Sequence, residues 1–279
     1  MSKQAIVSGG TKGIGREIVR QLVAKEYAVC FTGRDEAAGQ EVVQAIRHEF
    51  PQANIQYQQG DLGTVENAKQ LAIDIRRQFP QIDLLVNNAG VWSTTKKLNA
   101  DGIEISYMVN HLAPLIMIHG LYEQLKAAAP SRVVNVNSGL YVRGAVDLEQ
   151  TPYGKDFHRL NTYANSKLAN AMATIELVPK LEADGITINA LHPGVINTGL
   201  GDFTGLMGGL LKLVKRFWAT PEKGAQAPVM VGTDPGLEGT TGKYFFELKQ
   251  QDWAPNTQDV NLRKELWDQS LDMAGISWN

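Results

Sequence analysis

Apolar residues recur along this chain in two rhythms: short unbroken runs, and longer stretches in which they return every three or four positions. Unbroken runs predict strands buried on both faces, and the longer stretches predict amphipathic helices laid over them. Residues 5–8 open the series and lead into a helix with Ile14, Ile18, Leu22 and Val23 on one face. Further strand runs fall at 27–32, 54–59, 82–86, 132–138, 186–191 and 242–246. Helical spacing fills 36–49, 64–79, a long segment through 105–111, then 160–172, 221–231 and 257–273. Strand and helix alternate throughout, which predicts an α/β fold: a doubly wound parallel seven-stranded sheet, helices on both faces. No repeat or linker interrupts it, so residues 1–279 are expected to form a single domain.

Composition narrows the class. The 279 residues are 43% hydrophobic and 20% charged, ample for one large core. Formal net charge is −2 with Lys and Arg scattered, so no electrostatic footprint for nucleic acid or an anionic membrane exists. No apolar run approaches the roughly 20 residues that cross a bilayer, and the chain enters its first strand almost at once. A soluble protein without a membrane span is expected. Cys30 is the only cysteine and sits in an apolar run, which excludes an intrachain disulfide and predicts a buried thiol in a reducing, cytoplasmic setting.

The first strand ends in Gly9-Gly10-Thr11-Lys12-Gly13-Ile14-Gly15, a strand, glycine turn and helix in sequence. Glycines there let backbone N–H groups and the helix N-terminus approach a pyrophosphate, so this junction is expected to bind a dinucleotide. An ordinary βα turn is the alternative, because Gly9, Gly13 and Gly15 depart from Gly-x-Gly-x-x-Gly. The second strand ends in Gly33-Arg34-Asp35, where such a unit meets the adenosine ribose. Space at Gly33, the Arg34 guanidinium and a second cation at Lys12 suit a 2′-phosphate and favour NADP; the alternative is that Arg34 is a solvated surface residue and Asp35 merely caps the next helix. Asp61, followed by Leu62, stands beyond the third strand, either on the adenine amino group or as a helix cap. Asn87-Asn88-Ala89-Gly90 ends the fourth, where small residues let a cofactor lie across the strand.

Tyr163 and Lys167 stand one helical turn apart on a helix rich in small residues. An ammonium held close favours a phenolate and draws the tyrosine pKa toward neutrality, which suits it to exchange a proton with an alcohol or carbonyl. The same spacing recurs at Tyr122 and Lys126, so the motif alone does not choose. Tyr122 lies 12 residues after Asn110, about 18 Å along a continuous helix. That sends the second copy to the far end of the sheet, with a surface role.

Taken together, Ser8-Gly9-x-x-x-Gly13-x-Gly15, Asn87-Asn88-Ala89-Gly90 and Tyr163-x-x-x-Lys167 resemble the short-chain dehydrogenases/reductases, in order and spacing over the whole chain. Ser8 stands where that family usually has Thr. Within the family the chain is similar to the retinol dehydrogenase and carbonyl reductase branch, which also carries a long interval between the strand-end serine and the tyrosine, 25 residues here. The resemblance implies a Rossmann-type fold and interconversion of a carbonyl and an alcohol with NADP(H). It implies Tyr163 as general acid or base, Lys167 on the nicotinamide ribose, Ser138 on the substrate oxygen and Asn110 in a proton relay. His192-Pro193-Gly194-Val195-Ile196-Asn197-Thr198 resembles the turn whose Pro193, Gly194 and Val195 hold the nicotinamide carboxamide while Thr198 reaches a phosphate.

Residues 142–157 are expected as a surface excursion near the substrate mouth, and about 199–219 either as a mobile lid, given Gly205, Gly208 and Gly209, or as a core helix. Trp92, Leu140 and Tyr141 with the 203–211 segment predict a lipophilic aldehyde, ketone or alcohol as substrate. Family members are monomers, dimers or tetramers, with a lean here toward a homo-oligomer. A dinucleotide-binding sensor or scaffold without turnover is the competing class, against which stands the retention of all four catalytic positions.

Overall fold

The computed structural model describes residues 2–194 and 220–278. One sheet contains β1 (Gln4–Val7), β2 (Ala28–Gly33), β3 (Ile55–Gln59), β4 (Leu84–Asn87), β5 (Ser131–Val136), β6 (Ile186–His192), β7 (Tyr244–Phe246) and β8 (Lys249–Gln251). Their order is β3-β2-β1-β4-β5-β6-β7-β8, parallel up to β7 and antiparallel at β8. The expected count of seven is therefore one short. β8 escaped the apolar rhythm because its residues are Lys, Gln and Gln, all exposed; it joins the edge through its backbone after a tight turn at Glu247, whose φ is 53°.

Period-two alternation divides each strand between two cores. Ala5, Val7, Leu84 and Val86 face one side with α1 (Gly13–Ala24), α2 (Glu36–Glu49) and α8 (Pro221–Thr233). Ile6, Leu85 and Val133 face the other, under α3 (Val65–Gln78), α7 (Arg159–Leu181) and α9 (Val260–Ala274). Helix starts follow ordinary capping chemistry: Asp35 accepts from the Ala38 N–H, Thr64 from Asn67 and Asp259 from Leu262. Strand order reverses between β1 and β4, which opens a crevice at their carboxyl ends where ligands of such sheets bind.

The helical segment around Asn110 is not one regular helix. A short α4 (Ile105–Tyr107) passes into a π turn at Met108–Leu112, then α5 (Ala113–Gly120), and the chain breaks at Leu121 before α6 (Tyr122–Ala127). Tyr122 thus belongs to a separate helix from Asn110. The 142–157 excursion is partly exposed and partly anchored to the core. Thr151 and Pro152 are buried, and the Pro152 carbonyl accepts the Glu104 N–H at 2.8 Å. The Glu104 carboxylate is itself fully buried and accepts the N–H groups of Ser106 and Tyr107, so it caps α4.

α7 is the long buried helix of the fold, with every residue from Thr162 to Thr174 buried. Small residues let the turn after β5 press against it: a Cβ on Gly144 would lie 2.7 Å from the Leu168 Cβ and 2.8 Å from the Ala164 carbonyl oxygen. Gly144 has φ −70° and ψ 147°, a conformation open to any residue, so the restriction is purely one of space. Gly144→Val should destabilise the protein by about 1–3 kcal/mol through overpacking. A urea midpoint unchanged from wild type would contradict this contact.

Candidate functional site

At the β1 exit, the Ser8 hydroxyl accepts the N–H groups of Asn88 (3.1 Å) and Ala89 (3.0 Å). The Asn88 amide returns two bonds, to the carbonyls of Ser8 and Gly9. These four bonds lock the glycine turn to the Asn87-Asn88-Ala89-Gly90 turn across the strand reversal. No side chain fits inside: a Cβ on Gly15 would lie 2.0 Å from the Gly9 carbonyl oxygen, and one on Gly9, at φ 70°, would lie 2.9 Å from the Ala89 Cα. Lys12 precedes α1 without capping it, so the first N–H groups of α1 receive no bond from that side chain. This bare, rigid cradle at a helix N-terminus fits the pyrophosphate of a dinucleotide.

The β2 exit is fixed by a residue that sequence reasoning missed. The Tyr57 hydroxyl lies 2.7 Å from the Gly33 carbonyl oxygen and 3.0 Å from that of Asp35, and its ring lies where a side chain on Gly39 would stand. A Cβ on Gly33 would meet the Thr11 methyl at 2.5 Å, so the turn bearing Thr11 and Lys12 abuts the strand end bearing Arg34. Lys12 and Arg34 are both exposed on this rim. Asp35 is committed as the α2 cap. Asp61 does not cap α3, a role that falls to Thr64; its carboxylate accepts the Gly63 N–H in a local turn. Leu62 is buried in one core, and Ile14 packs partly against the opposite one.

The β5 exit meets α7. The Asn137 side chain accepts the Ser138 N–H at 2.7 Å and donates to the Lys167 carbonyl and to Asn170. Asn137 was also missed; its signal is the pair Asn135 and Asn137, two polar residues alternating with Val134 and Val136 at the carboxyl end of the strand. Lys167 donates from Nζ to the Val136 carbonyl at 2.9 Å. Ser138 neighbours the Tyr163 phenol and favours its ionised form. Asn110 sits in the π turn, where its amide clamps the Val91 backbone on both sides, N–H and carbonyl, and donates to the Ser166 hydroxyl at 2.9 Å. A Cβ on Gly90 would stand 3.3 Å from the Asn110 Oδ1 and 3.7 Å from the Lys167 Nζ. Asn110, Ser138, Tyr163, Lys167 and Gly90 are therefore one cluster.

Electrostatics there differ from expectation. Burial pushes the Tyr163 phenol up to about 12, with Ser138 opposing, and burial brings Lys167 down to about 8. The phenol is thus held protonated rather than drawn toward neutrality. Burial is the dominant influence and Lys167 does not offset it; its Nζ donates to the Val136 carbonyl and stands 5.9 Å from the tyrosine ring centroid. His192, at the end of β6, is lowered to about 4 by burial and by Lys167, so its ring is neutral. It packs against Phe246 with centroids 4.9 Å apart.

Pro193 and Gly194 follow directly, with Gly194 at φ 95° beside the Glu247 side chain. Val195, Thr198 and the 199–219 lid lie outside the described residues. Of the expected pocket wall, Trp92 stacks on Tyr163, but Tyr141 does not join it. Tyr141 is buried among Tyr244 and Trp253 and its hydroxyl accepts the Ala254 N–H, because the turn after Ser138 points that side chain into the core. The second Tyr/Lys pair is committed elsewhere: Tyr122 donates to Asp184, and Lys126 pairs with the same carboxylate at 2.8 Å. His111 is a buried packing residue whose Nε2 is 2.7 Å from the Ser270 hydroxyl. No group of metal-ligating side chains occurs among the described residues.

Comparison with known proteins agrees with this geometry. The family pattern described as short chain dehydrogenase matches residues 3–205. Retinol dehydrogenase 14 of Mus musculus is 32% identical over 288 residues, covering 98% of this chain and 86% of that protein. Retinol dehydrogenase 12 of Homo sapiens is 32% identical over 276 residues, covering 99% of this chain and 87% of that protein. A short-chain dehydrogenase from Burkholderia cenocepacia, crystallised in complex with NADP, superimposes with a TM-score of 0.71 at 25% identity, covering 88% of this chain and 95% of that one. With a dinucleotide cradle at the strand reversal, a Ser, Tyr and Lys cluster beside it and these relatives, the chain belongs to the short-chain dehydrogenase family of oxidoreductases, in its retinol dehydrogenase-like branch.

Proposed function

We propose that this oxidoreductase interconverts a lipophilic aldehyde or ketone and the corresponding alcohol using NADP(H). The observation that carries the reading is the cluster in which Lys167 stands beside both Gly90 and the Tyr163 ring, with Ser138 next to the phenol. When bound, the cofactor supplies or accepts the hydride. The Ser138 hydroxyl orients the substrate oxygen, and Tyr163, kept neutral by burial, delivers a proton to that oxygen in the reducing direction. Lys167 holds the nicotinamide ribose, and Asn110 keeps the Val91 backbone and Ser166 fixed behind it, the frame of a proton path from solvent.

Gly9, Thr11, Gly13, Ile14 and Gly15 would take the pyrophosphate; Asp61 and Leu62 the adenine; Asn88, Ala89, Gly90, Pro193 and Gly194 the nicotinamide half. Arg34 and Lys12 on one exposed rim favour the 2′-phosphate of NADP, as does the engagement of Asp35 in capping α2. The NADP complex of the Burkholderia relative supports the same choice. A reducing, cytoplasmic setting is consistent with Cys30, a buried free thiol that burial pushes up to about 12. Among the described residues no helix is long and apolar enough to cross a membrane.

Tyr163→Phe should lower kcat by about 10²–10⁴-fold in NADPH-coupled carbonyl reduction while NADPH binding stays near wild type. Tyr122→Phe should leave turnover intact; the reverse result would assign the chemistry to the wrong pair. Arg34→Ala should weaken NADPH binding by about 1.5–3 kcal/mol, as for a hydrogen bond to a charged group, and hardly touch NADH. Equal losses in a titration of both cofactors would remove the 2′-phosphate assignment. Along a series of straight-chain aldehydes, kcat/KM should rise by up to about 0.8 kcal/mol per methylene until the pocket is full. A flat series, or preference for a polyhydroxylated carbonyl, would exclude a lipophilic substrate, and silence with every carbonyl despite tight NADPH binding would favour a sensor.

A further inference from the structure

Trp92 follows the Asn87-Asn88-Ala89-Gly90 turn by two residues, and its indole lies flat on the Tyr163 phenol, with centroids 4.7 Å apart and planes inclined by 14°. A stack made by apolar contact alone would leave the ring free to slide. Here Nε1 donates at 2.6 Å to the carbonyl of Arg159, one helical turn before Tyr163 on α7. The indole is therefore held at two points on one helix, its edge by a backbone oxygen and its face by the phenol. Its own backbone is held too, since Asn110 clamps the neighbouring Val91.

We infer that Trp92 is a positioning residue for Tyr163: it fixes the phenol against α7 and screens one ring face from water, so that the hydroxyl is presented in a single direction, toward Ser138. The inference rests on Tyr163 acting as the proton donor proposed above. Two free torsions would otherwise let the phenol swing away from the substrate oxygen, and misplacement by about 1 Å is enough to cost on the order of 10²-fold in rate. The titratable group facing the phenol is Lys167 on the same helix, with the neutral Ser138 hydroxyl from the β5 exit; His192 from β6 is neutral and acts on Lys167 rather than on the phenol. Trp92 adds no charge to this set. Its effect on ionisation is through burial, which disfavours the phenolate.

Two variants separate positioning from bulk packing. Trp92→Leu removes both the stack and the Nε1 bond, whereas Trp92→Phe keeps an aromatic face. Trp92→Leu should lower kcat by about 10–100-fold with the KM for NADPH little changed. It should also move the alkaline limb of carbonyl reduction to lower pH, because a less buried phenol loses its proton earlier. Trp92→Phe should restore the limb and most of kcat. Unchanged kcat and limb in Trp92→Leu would overturn the inference, as would equal damage in both variants tracking a loss of folded protein. Near-UV circular dichroism needs no turnover: Trp92→Leu and Tyr163→Leu should each abolish the same aromatic signal, and the double variant no more. Independent, additive signals would refute the stack. A shared signal in a wild-type protein that reduces no carbonyl would discard the proposed reaction instead, leaving Trp92 only its hold on the ring.

Discussion

The buried amide of Asn137 joins the end of β5 to the middle of α7, and the chemistry depends on that joint. Through it the Ser138 N–H, the Lys167 carbonyl and the Asn170 side chain share one anchor. The strand exit and the helix then cannot shift independently, which is what keeps a serine from one and a tyrosine from the other side by side. Buried polar groups left unpaired cost about 1–3 kcal/mol each, so losing one member of this network leaves the others stranded and the joint acts as a unit. A second joint, Ser8 with Asn88, does the same for the two turns that form the cradle. A line of buried side chains, Asn87 to Asn135 to Thr174, runs from β4 through β5 to α7 and ties the two regions together.

Rigidity here comes from polar side chains bonding to backbone rather than from apolar packing alone. The carboxyl ends of the strands are where packing runs out: Gly9, Gly15 and Gly33 must lack side chains so that a ligand and neighbouring turns can approach. Space kept free for a ligand cannot contribute core contacts. Directional bonds from Ser8, Tyr57, Asn88, Asn110 and Asn137 hold the shape instead. The two apolar cores beneath supply the platform, and their division is set simply by which residues of each strand point to which face.

Much of this was legible in the sequence because apolar runs and glycine turns are local signals. Seven of the strands, the strand-end position of Ser138 and the spacing of Tyr163 and Lys167 all follow from neighbours in the chain. What escaped was set by distant contacts or by polar residues. β8 carries no apolar pattern; the π turn around Asn110 looks like ordinary helix in a run of Tyr, Met, Val, Asn and His; Tyr141 turns inward only because Tyr244 and Trp253 are there to receive it. The rise in the Tyr163 pKa comes from burial, which helical spacing does not report. Sequence spacing brings an ammonium to the right helical face, but the Val136 carbonyl that engages it comes from another strand.

The π turn at Met108–Leu112 gives the chain an unusual sensitivity to length rather than to residue type. An α-helix advances about 100° per residue, so a π turn amounts to one residue more than a straight helix would use. Removing a single residue there other than Asn110 would let α4 and α5 join as regular helix, with the apolar and polar pattern little changed. The Asn110 amide, however, would swing by about 100° away from Val91 and Ser166. In this stretch a deletion that heals the helix breaks the site, whereas many substitutions that preserve the count would leave its framework standing.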